Sequence, residues 1–273
     1  NKIVMKNKIE KFISSTVEFH DIFKAVEVAN ELNMGLEISR FGKLKDLDEY
    51  FDDTLNRYED AIKDLEGPLT LHGFFSNLCP TSKDKGIKDV SIKRYYQSLE
   101  IASRLGAKTV VFHTCFNNLL KQKVYRENFF VSSVEFYNEI IPYFEERKIT
   151  ATIENVHEPN GELIRNIIAA VNSPYLKATI DIGHLNLHSL VPARDWIKDY
   201  GIMLHHMHFH NNFGDEDAHG SLKKGTMDVK KVLLSLKEMQ IYPQITFEIF
   251  DKEELIESIQ YLEELQNEIE YGI

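Results

Sequence analysis

Short runs of apolar and β-branched residues recur along the chain, each followed by a longer stretch with helical periodicity. The runs are KFISST (11–16), GLEIS (35–39), PLTLH (68–72), KTVVFH (108–113), TATIE (150–154), KATID (177–181), MLHHMH (203–208) and QITFE (244–248). Between them, stretches such as DIFKAVEVANELN, SIKRYYQSLEIASRLGA and FVSSVEFYNEIIPYFEERK carry an apolar stripe and a charged face. LGA at 105–107 reads as a helix stop feeding a strand. Eight strand–helix units in 273 residues predict an α/β chain folded as a single (β/α)8 TIM barrel, one domain over 1–273. A doubly wound open sheet is the alternative, and eight units suit the barrel.

Within each strand the side chains alternate between faces. Leu69 and Leu71 oppose Thr70 and His72; Val110 and Phe112 oppose Val111 and His113. Ala151 and Ile153 oppose Thr152 and Glu154, Ala178 and Ile180 oppose Thr179 and Asp181, and Ile245 and Phe247 oppose Thr246 and Glu248. The apolar face packs on helices. The other face points into the barrel, with a small residue below and a metal-ligand type of residue at the C-terminal end, where barrels build their active sites. Five strands thus deliver His72, His113, Glu154, Asp181 and Glu248 to one mouth. The segment HHMHFHNNFGDEDAHG (205–220) adds five of the chain's eleven histidines. Alternation turns Leu204, His206, His208 and His210 inward and Met203, Met207 and Phe209 outward, with His205 out of pattern. His208 or His210 tops the seventh strand; Asp217 and His219 lie two apart on the loop beyond, and His184 follows Asp181 by three.

Composition narrows the field. Net charge is −11 with a pI near 5.5, which excludes broad non-specific nucleic-acid binding. The two cysteines, Cys79 and Cys115, are too few for a disulfide framework, so a reducing, cytoplasmic setting is expected. The start, NKIVMKNKIEKF, lacks a signal-like apolar run, and no stretch nears the roughly 18 apolar residues of a membrane span.

A lone barrel histidine usually serves a hydrogen bond, and a lone strand-end carboxylate an ion pair. Together they read differently. Four converging carboxylates need positive charge, since burial costs each several kcal/mol, and the inward strand faces supply almost none. At least one divalent ion is the expectation, and mixed His/carboxylate ligation suits Zn, Mn, Fe or Co. Other candidates carry less: His20 reads as a surface or cap residue, His157 and His188 follow ligand-bearing strands without a defined role, His205 and His206 suit packing or hydrogen bonding, and Cys115 is either a soft ligand or a small buried residue.

The motifs LHGFFSNLCP, SLEIASRLGAKTVVFH, TIENVHE, TIDIGHLNLH, HFHNNFGDEDAH and FEIF, in that order, resemble those of the xylose-isomerase-like TIM-barrel superfamily, from about Gly35 to Glu248. That superfamily contains sugar-phosphate isomerases and epimerases and the endonuclease IV family of abasic-site nucleases. The epimerase resemblance implies one ion held by Glu154, Asp181, His208 and Glu248. The two glutamates then double as proton-transfer bases, and His184 touches substrate. The nuclease resemblance implies three zinc ions on His72, His113, Glu154, Asp181, His184, His208, Asp217, His219 and Glu248. Two departures stand out: SLKKGTMD, with Lys223 and Lys224, replaces a glycine-rich turn, and HNN replaces an acidic pattern.

Charge bears on the ion count. Four carboxylates with one divalent ion leave −2, which suits a neutral sugar; three ions give +2, which suits a phosphate. Loops on the mouth side carry Arg40, Lys43, Lys45, Lys83, Lys85, Lys88, Lys121, Lys123, Arg126, Lys223 and Lys224. They read either as solubilising surface residues or as an anion-attracting rim. The leading expectation is an enzyme: a metal-dependent isomerase or epimerase of a small-molecule sugar or sugar phosphate, working through an enediolate. Zn or Mn, one to three ions per chain, is the expected cofactor. Glu154 and Glu248 move the proton, and Glu37, Arg40, Glu158, His184 and Lys223 hold substrate. Alternatives are a zinc-dependent phosphodiesterase on abasic DNA and an inactive metal- or sugar-binding protein. No membrane partner is expected, and a homo-oligomer is possible.

Overall fold

The computed structural model describes residues 9–18, 21–42 and 44–270; His20 and Lys43 lie outside them. Eight parallel strands close into a barrel in sequence order: β1 (Lys11–Ser14), β2 (Gly35–Ile38), β3 (Leu69–His72), β4 (Thr109–His113), β5 (Thr150–Glu154), β6 (Leu176–Asp181), β7 (Leu204–Phe209) and β8 (Gln244–Phe247). Around them run α1 (Ile22–Glu31), α2 (Phe51–Ile62), α3 (Lys85–Leu105), α4 (Lys123–Glu146), α5 (Glu162–Val171), α6 (Ile182–His188), α7 (Ala193–Tyr200), α8 (Val229–Met239) and α9 (Lys252–Glu268). Asp21, Asp84, Asp228 and Asp251 each cap a helix by accepting a main-chain N–H from the first turn. Gly106 ends α3 in the left-handed conformation, as LGA anticipates.

The outward strand residues Leu71, Phe112, Ile153, Ile180, Met207 and Phe247 are all buried against the helices. Each such side chain contributes roughly 1.5–3 kcal/mol of burial. The inward face holds a layer of Thr70, Val111, Thr152, Thr179 and Thr246; Thr179 Oγ1 donates to Thr152 Oγ1 at 2.7 Å. Polar groups survive in this interior because they satisfy one another.

Strand β7 departs from simple alternation. Ala178 pairs with Leu204, but Thr179 pairs with His206, so the register shifts and His205 is the extra residue. Leu204 therefore sits beside the outward-facing Ala178 instead of on the inward face, as strict alternation predicts. His205 Nε2 meets Thr109 Oγ1 at 3.1 Å near the barrel floor. Beyond the bulge the inward set is His206, His208 and His210, all fully buried.

Candidate metal centre

Register sets the height of each inward side chain. His113 is level with Glu154, and Asp181 with His208. Glu154 of β5 lies at the middle. Its Oε2 is 3.2 Å from His72 Nε2 and 3.3 Å from His113 Nε2; its Oε1 is 3.1 Å from His208 Nδ1 and 3.4 Å from His184 Nδ1. His208 Nδ1 also lies 3.5 Å from Glu248 Oε2 and 3.7 Å from Asp181 Oδ2. At the rim, Asp217 Oδ2 is 3.2 Å from His219 Nε2 and 3.4 Å from His184 Nε2. All nine donor residues expected from the sequence meet in one cluster.

The cluster is built to present nitrogen lone pairs. His72 Nδ1 is 2.9 Å from the Gly73 carbonyl, His184 Nδ1 2.9 Å from the Asn155 carbonyl and His219 Nδ1 2.9 Å from the Glu248 carbonyl. A carbonyl only accepts, so each Nδ1 donates to it, and each Nε2 is the atom turned toward the carboxylates, protonated there until a cation takes the proton's place. Donor atoms of His72, His113 and Glu154, of His72, His208 and Glu248, and of Asp181, His184 and His210 form groups within 4.8 Å, groups that could hold a metal ion. Two fully buried ring nitrogens on the far sides of these imidazoles, His208 Nε2 toward Glu37 and His210 Nδ1 toward Gly183, lack hydrogen-bond partners, while the opposite nitrogens face the carboxylates. The donor chemistry fits a divalent ion.

Without a cation the histidines hold the carboxylates' counter-charge. Burial works to raise the Glu154 carboxyl, but His208, His113 and His184 outweigh it and keep it well below the usual range. Burial works against charge on His208 too, yet Glu248, Glu37 and Glu154 hold its pKa well above the ordinary value. Burial likewise opposes charge on His184, where Asp181, Asp217 and Glu154 prevail. For His219, Asp217 and Glu248 overcome burial and push it up to about 9.

His210 belongs to this centre as well. Its Nε2 is 3.0 Å from Asp181 Oδ2, and its ring stacks on His219 at 4.0 Å. The alternation on β7 already turns it inward; what sequence could not supply was its height. Asp181 serves two elements at once: Oδ1 accepts the His184 N–H at 2.7 Å to cap α6, while Oδ2 faces the imidazoles.

Four expectations about substrate contacts fare differently. Arg40 lines a cavity of about 350 Å³ together with Ser39, His72, Phe75 and Arg94. Glu37 is not at the mouth. It is level with Thr70, two residues below His72, fully buried, and accepts from Thr70 and Thr246. Glu158 is turned into its own loop, bonded to the Thr114 hydroxyl and to the Val156 and His157 N–H groups. Lys223 lies over the Tyr261 ring of α9 at 5.6 Å. The second mouth cavity, about 460 Å³, lies on the other side of Phe75 and is lined by His113, Cys115, His157 and His188.

The basic rim is largely spoken for. Lys224 pairs with Glu254, Lys85 with Asp89 and Lys123 with Glu127, while Arg126 lies over Phe116 and Lys45 over Tyr50. The HNN segment has a main-chain task. Asn211 donates to the Leu222 and Met227 carbonyls and accepts from the Asn212 and Met227 N–H groups. Asn212 donates to the Gly183 carbonyl. An amide does both, and a carboxylate could only accept. Both asparagines thereby hold the loop that carries Asp217 and His219.

A family model described as xylose isomerase-like TIM barrel matches residues 23–265. An uncharacterized protein of Methanocaldococcus jannaschii is 26% identical over 207 residues, spanning 73% of this chain and 70% of its own length. Among solved structures, a D-tagatose 3-epimerase-like protein aligns at a TM-score of 0.81 and 22% identity, covering 96% of this chain and 98% of its own. A Thermus thermophilus protein soaked with zinc chloride aligns at 0.78 and 20% identity, with coverages of 96% and 98%.

Proposed function

The chain belongs to the xylose isomerase-like TIM-barrel family, and on that premise we propose that it is a divalent-metal-dependent isomerase or epimerase of a sugar or sugar phosphate. The observation that carries this reading is the pair Glu154 and Glu248, from β5 and the end of β8, both meeting His208 Nδ1, at 3.1 and 3.5 Å. The likeness to a D-tagatose 3-epimerase-like protein supports the substrate class.

Glu154, Asp181, His208 and Glu248 would hold the ion. A divalent cation there supplies Lewis acidity that polarises neighbouring substrate oxygens and acidifies the adjoining C–H. The residues do the rest. Glu248 is the more accessible of the two glutamates and faces the mouth, so it removes the proton from carbon. Glu154, on the facing wall, relays a proton drawn from His72, whose Nε2 lies 3.2 Å from its Oε2, to the opposite side of that carbon and inverts it, while Glu248 keeps the proton it removed until water takes it. His184 reaches between Glu154 and Asp217, where it would meet a substrate hydroxyl. Phe75 lies on His72 and His113 and separates the two cavities, shielding this side of the centre from water.

Solvent exchange tests the proposal. The metal-free chain reloaded with Mn²⁺, Zn²⁺ or Co²⁺ is expected to incorporate deuterium from D₂O into at least one of a panel of ketoses and their phosphates. Metal uptake with no exchange into any of them overturns the enzymatic reading and leaves a metal- or sugar-binding protein.

A second reading rests on a specific observation: His72, His113, His184, Asp217 and His219 gather beyond the four donors one ion needs. Three zinc ions on all nine residues would suit phosphodiester cleavage at abasic DNA. Counting ions per chain by elemental analysis and assaying an abasic duplex separates the two; about three zinc ions with strand cleavage favours the nuclease.

A further inference from the structure

His208 is oriented unlike its neighbours. His72, His184 and His219 each give Nδ1 to a main-chain carbonyl and turn Nε2 toward the carboxylates. His208 does the reverse: Nδ1 faces Glu154, Glu248 and Asp181, and Nε2 points down the barrel axis. The reason is topological. His72 ends β3, His184 stands in the first turns of α6 and His219 is on a loop, and each reaches a carbonyl just past a strand end, at Gly73, Asn155 or Glu248. His208 projects from within β7 into the barrel, where strand carbonyls are taken by sheet pairing. Only a side chain reaching across can take the Nε2 proton.

Glu37 is that side chain. It projects from β2, on the far side of β8 and β1 from β7. Its Oε1 lies 3.2 Å from His208 Nε2, and both groups are fully shielded from solvent. Neither atom has another partner, and the pair falls short of good hydrogen-bond geometry as it stands. Its other oxygen is fixed from three sides: Thr246 Oγ1 at 3.0 Å, Thr70 Oγ1 at 3.2 Å and His206 Nε2 at 3.1 Å. A carboxylate anchored by one oxygen, with the other aimed at an unsatisfied ring nitrogen, is arranged to set that ring. An imidazole that gives Nδ1 to a cation must keep its proton on Nε2, and this proton needs a buried acceptor.

We propose that Glu37 is a positioning residue of the centre, fixing His208 as the Nε2-protonated tautomer so that Nδ1 is its ligating atom. The role rests on the reading that the centre binds a divalent ion. Outer partners of metal-bound histidines typically govern affinity by about 10- to 100-fold.

Zinc titration against a chromophoric chelator tests it, using the wild-type chain and Glu37→Gln. Wild type is expected to bind zinc, and E37Q to bind it about 10- to 100-fold more weakly while keeping its far-UV circular dichroism. Equal affinities in the two chains overturn the role of Glu37 alone. No zinc uptake by wild type overturns the metal reading and this inference with it. Should E37Q fail to fold, nitrogen-15 NMR of histidine-labelled, zinc-loaded wild type decides. A protonated Nε2 on His208, with Nδ1 shifted by the metal, upholds the inference; ligation through Nε2 overturns it.

Discussion

Gly183 leaves the space that the His210 ring fills: a β-carbon at position 183 would lie 1.9 Å from His210 Cε1. This is how α6 starts directly after Asp181 while an imidazole from β7 still reaches the same carboxylate. Gly183→Ala must push the ring off Asp181 Oδ2. The expected cost is about 1–3 kcal/mol of stability, read from urea unfolding, together with weaker metal uptake. An unchanged unfolding midpoint would contradict the close fit.

Metal uptake is expected to release protons. His184 and His208 hold protons well above the ordinary histidine range, and His219 up to about 9, chiefly because carboxylates overcome burial. A cation must displace them, so apparent affinity rises with pH through the range in which these histidines give up their protons. Calorimetric titrations in buffers of different ionisation heat measure the protons released.

The metal-free protein has the opposite dependence. A group whose pKa is raised on folding stabilises the fold below its unfolded pKa, and that contribution is lost as pH rises through the folded one. For His219 this window runs from 6.5 to about 9. The thermal midpoint of the metal-free chain is expected to fall across it, and saturating metal to reverse the trend. A midpoint flat across that window would refute the assignment.

Asn211→Ala removes two donated and two accepted hydrogen bonds inside the loop from 211 to 227. The expected loss is about 2–4 kcal/mol, because main-chain groups are left buried without partners. Hydrogen exchange should accelerate at the Asn212 and Met227 amides, which lose their acceptor, and the Asp217–His219 pair should bind metal less tightly.

Glu248→Gln is expected to lower solvent-deuterium exchange about 10²- to 10⁴-fold at saturating metal, the usual weight of a positioned base. Three of the four donors of a single ion remain, so metal is still taken up, more weakly. Exchange at the wild-type rate would exclude Glu248 as the base.

Much of this was legible in the chain. Every strand falls within two residues of its apolar run, and period-two alternation alone brings His72, His113, Glu154, Asp181 and Glu248 to one mouth. Alternation gives direction but not depth. Glu37 points inward as expected, yet its pairing with Thr70 sinks it below the donors, and pairing between strands is not written in either strand. The β7 bulge showed only as a misfit: His205 broke the outward apolar pattern, as a single polar residue on that face does with or without a bulge, and the shifted register that turns Leu204 outward was not visible. Lys223 and Lys224 look free along the chain because the residues they meet, Tyr261 and Glu254, are about thirty or more residues away on α9.

Asp181 ties a helix start to the centre through the two oxygens of a single carboxylate. Exchange for Glu would conserve charge yet slide the group one methylene along, so one of the two attachments must give. Asp217 bears no such double duty: its carboxylate contacts imidazoles only, among the described residues. Variation in this scaffold therefore has an uneven geography, with the inner wall closed to experiment and the outer lip open, and new chemistries should arise by altering the lip.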